Sequence, residues 1–227
     1  MIATSFYGAC ESALMPALQP FEWRLCGRGV YQKNETDGVS RLAVDPLKGF
    51  ARFRVLLTFD PADVTQLADS ITCDQPPDYE RGFLCGPYLT PAGVYRRHGG
   101  YACRTRADLQ RSLATVVRAI QSVGVQWLQR LRDPQFFAEQ ADPVAALMCG
   151  YAWERAGNNR RARELYQEMW RRLDGALSHL SEKQLDRVED ATKRQYLFIA
   201  QRLRIRSDVA IRFAAQVADR RGGPTRS

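Results

Sequence analysis

The apolar and polar positions of residues 30–59 follow the short alternations of β-strands separated by turns. Residues 30–33 and 39–44 are rich in β-prone side chains, and residues 34–38 supply the turn chemistry of a hairpin. Residues 50–59 begin with arginines between apolar residues and end in a continuously apolar run, which is typical of a strand that enters a core. The pattern therefore predicts three strands joined by short turns, an antiparallel meander.

Helix signals flank this meander on both sides. A first helix is expected over residues 5–18, broken by Pro16 and Pro20. An Asp-Pro dipeptide indicates a helix start, because the Asp carboxylate caps the first turn and the proline needs no hydrogen-bond donor there. Three of the chain's Asp-Pro dipeptides, those at Asp60, Asp133 and Asp142, are predicted to begin helices. From Thr105 onwards the sequence is predicted to be helical, beginning with a capping box between Thr105 and Asp108.

Two further helices are predicted near the C-terminus. Ser181 and Gln184 can form a second capping box, and apolar residues at helical spacing extend from it as far as Leu203. This spacing predicts one long helix. Ser207 is expected to cap the last helix, which ends near Asp219.

Residues 143–174 predict a pair of antiparallel helices. The first holds Gly150 and ends near Gly157, and the second holds Ala162 and Tyr166. Small residues at such positions let two helices approach closely, and the pattern resembles one tetratricopeptide repeat. No second copy follows at a spacing of about 34 residues, and a repeat array needs about three units to bury a core. We therefore interpret the segment as a helical hairpin that packs on neighbouring helices, without a ligand groove.

Together these elements predict an α+β fold. An N-terminal antiparallel β-meander with flanking helices is followed by an all-helical C-terminal part that contains the tetratricopeptide-like hairpin. Residues 1–132 are assigned to an α+β domain and residues 133–227 to a helical extension, which is expected to pack on the first part. A chain of 227 residues is long enough for one domain with such an extension.

The composition is that of a folded protein. Hydrophobic residues make up 45% of the chain and charged residues 26%, which argues against disorder. No stretch approaches the roughly 20 apolar residues that cross a bilayer. Residues 1–21 contain no Lys or Arg ahead of their apolar residues, so they do not resemble a secretory signal. A cytoplasmic location without membrane association is therefore expected.

Candidate catalytic chemistry is sparse. The six cysteines form no CxxC pair and are expected to be reduced and mostly buried. Two histidines are too few for a histidine-rich metal site, and the sequence has no phosphate-binding loop, dinucleotide fingerprint or serine-nucleophile motif. We therefore predict no cofactor and no metal. An enzyme that uses Cys103 or His98 remains a minor hypothesis, because the partners of a cysteine nucleophile are distant in sequence.

The segment 73–104 is the most irregular part of the chain. Prolines and glycines divide it into short pieces, and it contains Tyr and Arg, which commonly anchor interfaces. Long loops in compact domains often carry function. We therefore predict that a protein partner binds at Tyr88, Tyr95, Arg96, Arg97, His98 and Tyr101.

Positive charge indicates a second class of partner. The net charge is +8, and residues 151–227 hold 17 Lys and Arg against 10 Asp and Glu. In this alternative, the C-terminal helices bind nucleic-acid phosphates, and Tyr196 or Phe198 stacks on bases. The candidate phosphate ligands are Arg202, Arg206, Arg212, Arg220 and Arg221. A solvated helical surface explains the same charge excess without a partner, since Arg204 lies nearly opposite Arg202 on a helix.

The order of the predicted elements resembles a group of uncharacterised bacterial α+β domains, some of them encoded beside toxins as immunity proteins. The resemblance covers residues 10–140 and rests on GVYQK at residues 29–33, GPYLT at residues 86–90 and GVQWLQRL at residues 124–131. It implies a stoichiometric protein-binding protein, such as an inhibitor that caps a toxin. It implies no catalytic residues.

Overall fold

The computed structural model describes residues 3–71, 88–95, 97, 99–141 and 146–221. The chain divides into two compact units. Unit 1 takes its described residues from 1–63 and 76–140, and unit 2 takes them from 64–75 and 141–227. The antiparallel sheet and its flanking helices belong to unit 1, whereas unit 2 is helical. The protein is therefore α+β with an all-helical C-terminal part, as the sequence pattern predicted.

Seven strands and ten α-helices lie within the described residues. The strands are β1 (Arg24–Gly27), β2 (Val30–Glu35), β3 (Gly38–Pro46), β4 (Arg52–Pro61), β5 (Tyr88–Thr90), β6 (Gly93–Tyr95) and β7 (Tyr101–Ala102). The helices are α1 (Ala3–Leu18), α2 (Ala62–Ile71), α3 (Arg106–Ala119), α4 (Val125–Leu131), α5 (Pro134–Gln140), α6 (Ala146–Arg155), α7 (Asn159–Leu177), α8 (Glu182–Asp186), α9 (Asp190–Leu203) and α10 (Asp208–Arg221). Across this part of the chain, no helix combines the length and the apolar character needed to cross a bilayer.

The sheet of unit 1 is antiparallel throughout, and its order follows the chain from β1 to β6. Strands β2, β3 and β4 are the predicted meander, which is confirmed. Two short strands also pair with β4. Phe53 of β4 pairs with Tyr101 of β7, and Leu56 of β4 pairs with Tyr88 of β5. The sequence pattern missed β1, because three of its four residues are exposed and show no apolar alternation.

The apolar core of unit 1 lies between one face of the sheet and the helices α1 and α3. Buried side chains on α1 recur every four residues, which places one apolar stripe against the sheet. These residues are Phe6, Cys10, Leu14 and Leu18. Pro16 lies on the exposed side of the helix, and α1 continues through it. The predicted break at Pro16 was therefore wrong.

Helix α3 begins with the predicted capping box. The Thr105 hydroxyl accepts from the backbone N–H of Asp108 at 3.0 Å, and the Asp108 carboxylate accepts from the backbone N–H of Thr105 at 3.2 Å. A π-helical turn, Ile120–Gly124, then joins α3 to α4 without an interruption. A Cβ at Gly124 would lie 3.0 Å from the side chain of Leu57, so glycine lets this turn approach the sheet closely.

Two of the three Asp-Pro dipeptides that were predicted to begin helices lie within the described residues. The Asp133 carboxylate accepts from the backbone N–H of Phe136 at 2.7 Å and caps α5, as predicted. Asp60 instead forms an ion pair with Arg41, so its predicted capping role was wrong. The dipeptide at Asp142 lies outside the described residues.

Unit 2 contains the predicted helical hairpin, formed by α6 and α7. A Cβ at Gly150 would lie 2.5 Å from the ring of Tyr166, so the absence of a side chain lets the two helices approach. Tyr166 is buried, and its hydroxyl donates to the Glu154 carboxylate at 2.9 Å. The Asn158 side chain caps α7 by accepting from the backbone N–H of Arg161 at 3.1 Å.

The long helix predicted from Ser181 is instead two helices, α8 and α9. The capping box is present, but α8 ends at Asp186 and α9 begins at Asp190. The buried Lys193 ammonium donates to the carbonyl oxygen of Asp186 at 3.1 Å and so satisfies an acceptor at the end of α8. Both helices contribute apolar side chains to one buried cluster, which explains why the apolar spacing continues across the break.

Candidate functional site

Tyr88 and Tyr95 lie side by side on the hairpin formed by β5 and β6. The strand register pairs Tyr88 with Tyr95 on one side and with Leu56 of β4 on the other. Residues paired directly across antiparallel strands point to the same face of the sheet. The row therefore runs from the half-buried Leu56 to the outer strand, where Tyr95 is 50% exposed.

Arg54 extends this row. It precedes Leu56 by two residues on β4 and therefore shares its face of the sheet. Its Nη1 donates to the Tyr88 hydroxyl at 3.1 Å, and its guanidinium carbon lies 4.8 Å from the centre of the Tyr88 ring. These contacts fix the Tyr88 ring beside a cation. We refer to Arg54, Leu56, Tyr88 and Tyr95 as the tyrosine face.

The turn between β5 and β6 is held by its own side chains. The Thr90 hydroxyl donates to the carbonyl oxygen of Gly93 at 2.8 Å and accepts from the backbone N–H of Ala92 at 3.3 Å. Gly93 has a φ angle of 152°, and a Cβ there would lie 3.1 Å from the Tyr95 hydroxyl oxygen. Glycine at this position therefore lets the Tyr95 ring lie against the turn, which fixes its position on the tyrosine face.

Tyr101 points to the other face of the sheet, into the core. It pairs with Phe53 across β4 and β7, and the two rings stack with their centroids 5.3 Å apart. Its hydroxyl donates to the carbonyl oxygen of Leu89 at 2.8 Å. Because Tyr101 is only 8% exposed, the structure separates it from Tyr88 and Tyr95, with which the sequence grouped it.

The other predicted contact residues, Arg96, Arg97 and His98, come between Tyr95 and Tyr101 in the sequence. Arg97 is exposed. The carbonyl oxygen of Gly99, two residues later, accepts from Nη1 of Arg52 at 3.0 Å, which ties this segment to β4. Arg96 and His98 lie outside the described residues.

Two of the predicted phosphate ligands are paired within unit 2. The Arg202 guanidinium donates to the Glu154 carboxylate at 2.9 Å. Arg212 forms ion pairs with Asp186 at 2.8 Å and with Glu182 at 3.2 Å. The charge of each arginine is therefore compensated within the protein, which weakens its attraction for phosphate.

The other residues of the nucleic-acid hypothesis do not complete a surface. Arg206 is exposed and forms no ion pair within the described part of the chain. Arg220 and Arg221 lie in the last turn of α10, and their side chains are outside the described part of the chain. Tyr196 is fully buried and Phe198 is half-buried, so Tyr196 offers no ring for stacking on a base.

The described residues offer little chemistry for catalysis. The Cys103 thiol is buried and donates to the carbonyl oxygen of Phe50 at 3.0 Å. Burial raises its pKa, which disfavours the thiolate that a nucleophile requires. Burial also raises the pKa of the Cys10 thiol, to about 12. Within the described ranges, no three His, Cys, Asp or Glu side chains come together in a way that could hold a metal ion.

Comparison with known proteins adds no family. No protein-family model matches the chain, and no curated protein or solved structure is significantly similar to it. The resemblance to immunity-type domains therefore stays a prediction.

The sequence pattern missed Arg54 and Leu56 as parts of the candidate site. Arg52 and Arg54 alternate with the apolar residues of β4, and this alternation indicates that they face away from the core. The signal was therefore present for the face of the sheet. The sequence carried no signal for the contact between Arg54 and Tyr88, because these residues are 34 positions apart.

Proposed function

We propose that this chain is a non-enzymatic protein-binding module and that the tyrosine face of unit 1 contacts the partner. The observation that carries the proposal is the row of paired aromatic residues beside Arg54, which ends in the half-exposed Tyr95. Tyr and Arg are enriched at the centres of protein interfaces, because each combines a large apolar area with hydrogen-bonding groups. The cytoplasmic location expected from the sequence is part of this proposal.

The arrangement supports binding because its side chains are already ordered. Arg54 holds the Tyr88 ring, and the turn at Gly93 holds Tyr95. A partner that docks here would therefore immobilise few additional rotamers, which lowers the entropic cost of association. Arg97, which follows Tyr95 by two residues in the sequence, is exposed and adds a positive charge, which favours an acidic partner surface.

A narrower form of the proposal names the partner as a bacterial toxin that the chain inhibits as an immunity protein. This form rests on the resemblance in element order alone. It predicts that the captured partner arrests growth when it is expressed by itself. Co-expression of the wild-type chain would then restore growth, and co-expression of a variant with an altered tyrosine face would not.

The experiment is affinity capture from the protein's own host, with and without nuclease, followed by quantitative mass spectrometry. The variants are Tyr95→Ser in the tyrosine face and Ile211→Ser in α10 as the matched control. Ile211 is 65% exposed and lies in unit 2, so its substitution removes apolar surface elsewhere. We expect one stoichiometric protein partner that survives nuclease, persists with Ile211→Ser and is lost with Tyr95→Ser.

Each other outcome has a defined meaning. A partner that binds both variants equally would show that the tyrosine face is not the contact surface. Partners that disappear with nuclease would favour nucleic-acid binding. A protein that is recovered without any stoichiometric partner would contradict the binding-module proposal itself.

A further inference from the structure

A concave surface of unit 1 lies between the end of α1, strand β2 and the helical segment from α3 to α4. It has a volume of about 360 Å³. This volume falls in the range of about 300–1,000 Å³ that is usual for small-molecule sites. We refer to it as the apolar cleft. Its walls include Leu18, Phe21, Trp23, Ile120, Val125 and Leu128.

Two residues of the apolar cleft are unusually exposed for their type. Phe21 is 52% exposed and Val125 is 41% exposed. Both side chains line the same concave surface, so their apolar atoms are available to an apolar ligand. Trp23 lines the same cleft and is only 6% exposed, so this part of the lining is well packed.

The π-helical turn shapes one wall of the cleft. Ile120 and Gln121 belong to this turn, and Val125 begins α4 directly after it. Such turns interrupt the regular hydrogen bonding of a helix and occur frequently at functional sites. The close approach of Gly124 to Leu57 anchors this wall on the sheet, which keeps the cleft preformed.

The charged residues that line the cleft leave one positive charge uncompensated. Glu35 forms an ion pair with Arg132 and also accepts from the Ser40 hydroxyl at 2.6 Å, so Glu35 and Arg132 neutralise each other. Lys33 also lines the cleft and is half-buried. Within the described part of the chain, no acidic side chain pairs with Lys33. The cleft therefore combines apolar walls with one cation that lacks an acidic partner.

We propose that the apolar cleft binds an unbranched alkyl carboxylate, with its chain between Phe21 and Val125 and its carboxylate on Nζ of Lys33. A lysine ammonium is a compact point charge, which complements a single carboxylate and does not impose the two-pronged geometry that an arginine gives a phosphate. The apolar walls complement the alkyl chain. This site is separate from the tyrosine face and does not depend on protein binding.

The test is isothermal titration calorimetry of the full chain with hexanoate, octanoate and decanoate, each at concentrations where it is monomeric. We expect one site, with affinity rising by up to about fourfold for each added methylene. The variant Lys33→Met keeps the apolar stem and removes the charge. It is expected to weaken decanoate binding roughly tenfold while leaving decanol binding unchanged, because only the carboxylate uses the ammonium. Thermal unfolding of each variant checks that the fold is retained.

Two further variants separate the cleft from general effects of charge. Val125→Asp places a negative charge at an exposed position of the cleft wall and is expected to abolish binding of decanoate and to weaken that of decanol. Lys183→Met is the matched control, because Lys183 is exposed in α8 of unit 2, and it is expected to leave binding unchanged.

Several results would overturn the proposal. One is the absence of saturable binding at every chain length, and another is equal affinity for decanoate and decyltrimethylammonium. A Lys33→Met variant that binds decanoate as the wild type does would also contradict it. Self-association that Phe21→Ser abolishes would show that the cleft is instead an interface between two copies of the chain.

Discussion

Arg41 forms an ion pair with Asp60 on the face of the sheet that lies opposite the apolar core of unit 1. Both side chains are more than nine-tenths buried. The two residues are diagonal neighbours, because Arg41 stands opposite Thr58 and Asp60 stands opposite Val39. Burying two charges costs solvation free energy that their attraction only partly offsets. Removing one of them leaves the other charge buried without a partner, which strongly destabilises the folded chain.

The first prediction concerns this pair. Arg41→Leu leaves the Asp60 carboxylate buried without its cation and is expected to lower the free energy of unfolding by about 3–5 kcal/mol. The double variant Arg41→Leu with Asp60→Leu is expected to recover most of that loss, because neither charge then remains unpaired. Urea unfolding followed by circular dichroism measures both values. A double variant as unstable as Arg41→Leu alone would contradict this account.

The second prediction is a pH dependence. Burial raises the pKa of Asp60 from 3.8 to about 6, although Arg41 acts in the opposite direction. Between these values the folded chain binds the proton more tightly than the unfolded chain does. The stability that Asp60 contributes is therefore present below pH 4 and is lost as the pH rises through 6.

The measurement compares the wild type with Asp60→Asn, which does not titrate. The stability of the wild type relative to Asp60→Asn is expected to fall by on the order of 2 kcal/mol between pH 4 and pH 7. Urea unfolding at several pH values gives this difference. Parallel profiles of the two proteins would show that Asp60 has the same pKa in the folded and the unfolded chain.

The sequence predicted those elements whose signals are local. The capping boxes at Thr105 and Ser181 each satisfy a helix N-terminus within four residues, and both are present in the structure. The meander was predictable because its strands are joined by short turns. Strand β1 was not, since its pairing with β2 holds it in place and its own residues are mostly exposed.

The candidate site was predictable only in part for the same reason. Tyr88 and Tyr95 were grouped because both lie in an irregular segment that is rich in interface residues. The sequence could not show that Tyr101 faces the core, because this depends on the register of β7 against β4. The apolar cleft depends in the same way on which helix packs beside Phe21.

The third prediction tests the close approach of α6 and α7. An alanine Cβ at Gly150 would lie 2.5 Å from the Tyr166 ring, so the ring or the helix must move. Gly150→Ala is expected to destabilise the protein by about 1–3 kcal/mol, the usual cost of overpacking. Gly175→Ala is the matched control in α7, since a Cβ there meets nothing within 4 Å.

The control is expected to change stability in the opposite direction. Gly175 is exposed, and alanine is favoured over glycine inside a helix by up to about 1 kcal/mol. Thermal unfolding should therefore give a lower midpoint for Gly150→Ala and a higher one for Gly175→Ala. Two midpoints that shift upwards together would show that the hairpin is looser than its geometry indicates.

The last prediction separates a structural tyrosine from a binding one. Tyr101→Phe removes the donor to the Leu89 carbonyl oxygen in the core and is expected to cost about 1–3 kcal/mol of stability, with partner capture unchanged. Tyr95→Ser alters a side chain that is half-exposed, so its effect on stability is expected to stay within about 1 kcal/mol while partner capture is lost. Urea unfolding and affinity capture are measured on both variants. If both variants lose partner capture in proportion to their loss of stability, the tyrosine face acts only through folding. A true contact surface requires that Tyr95→Ser loses the partner while the chain remains folded.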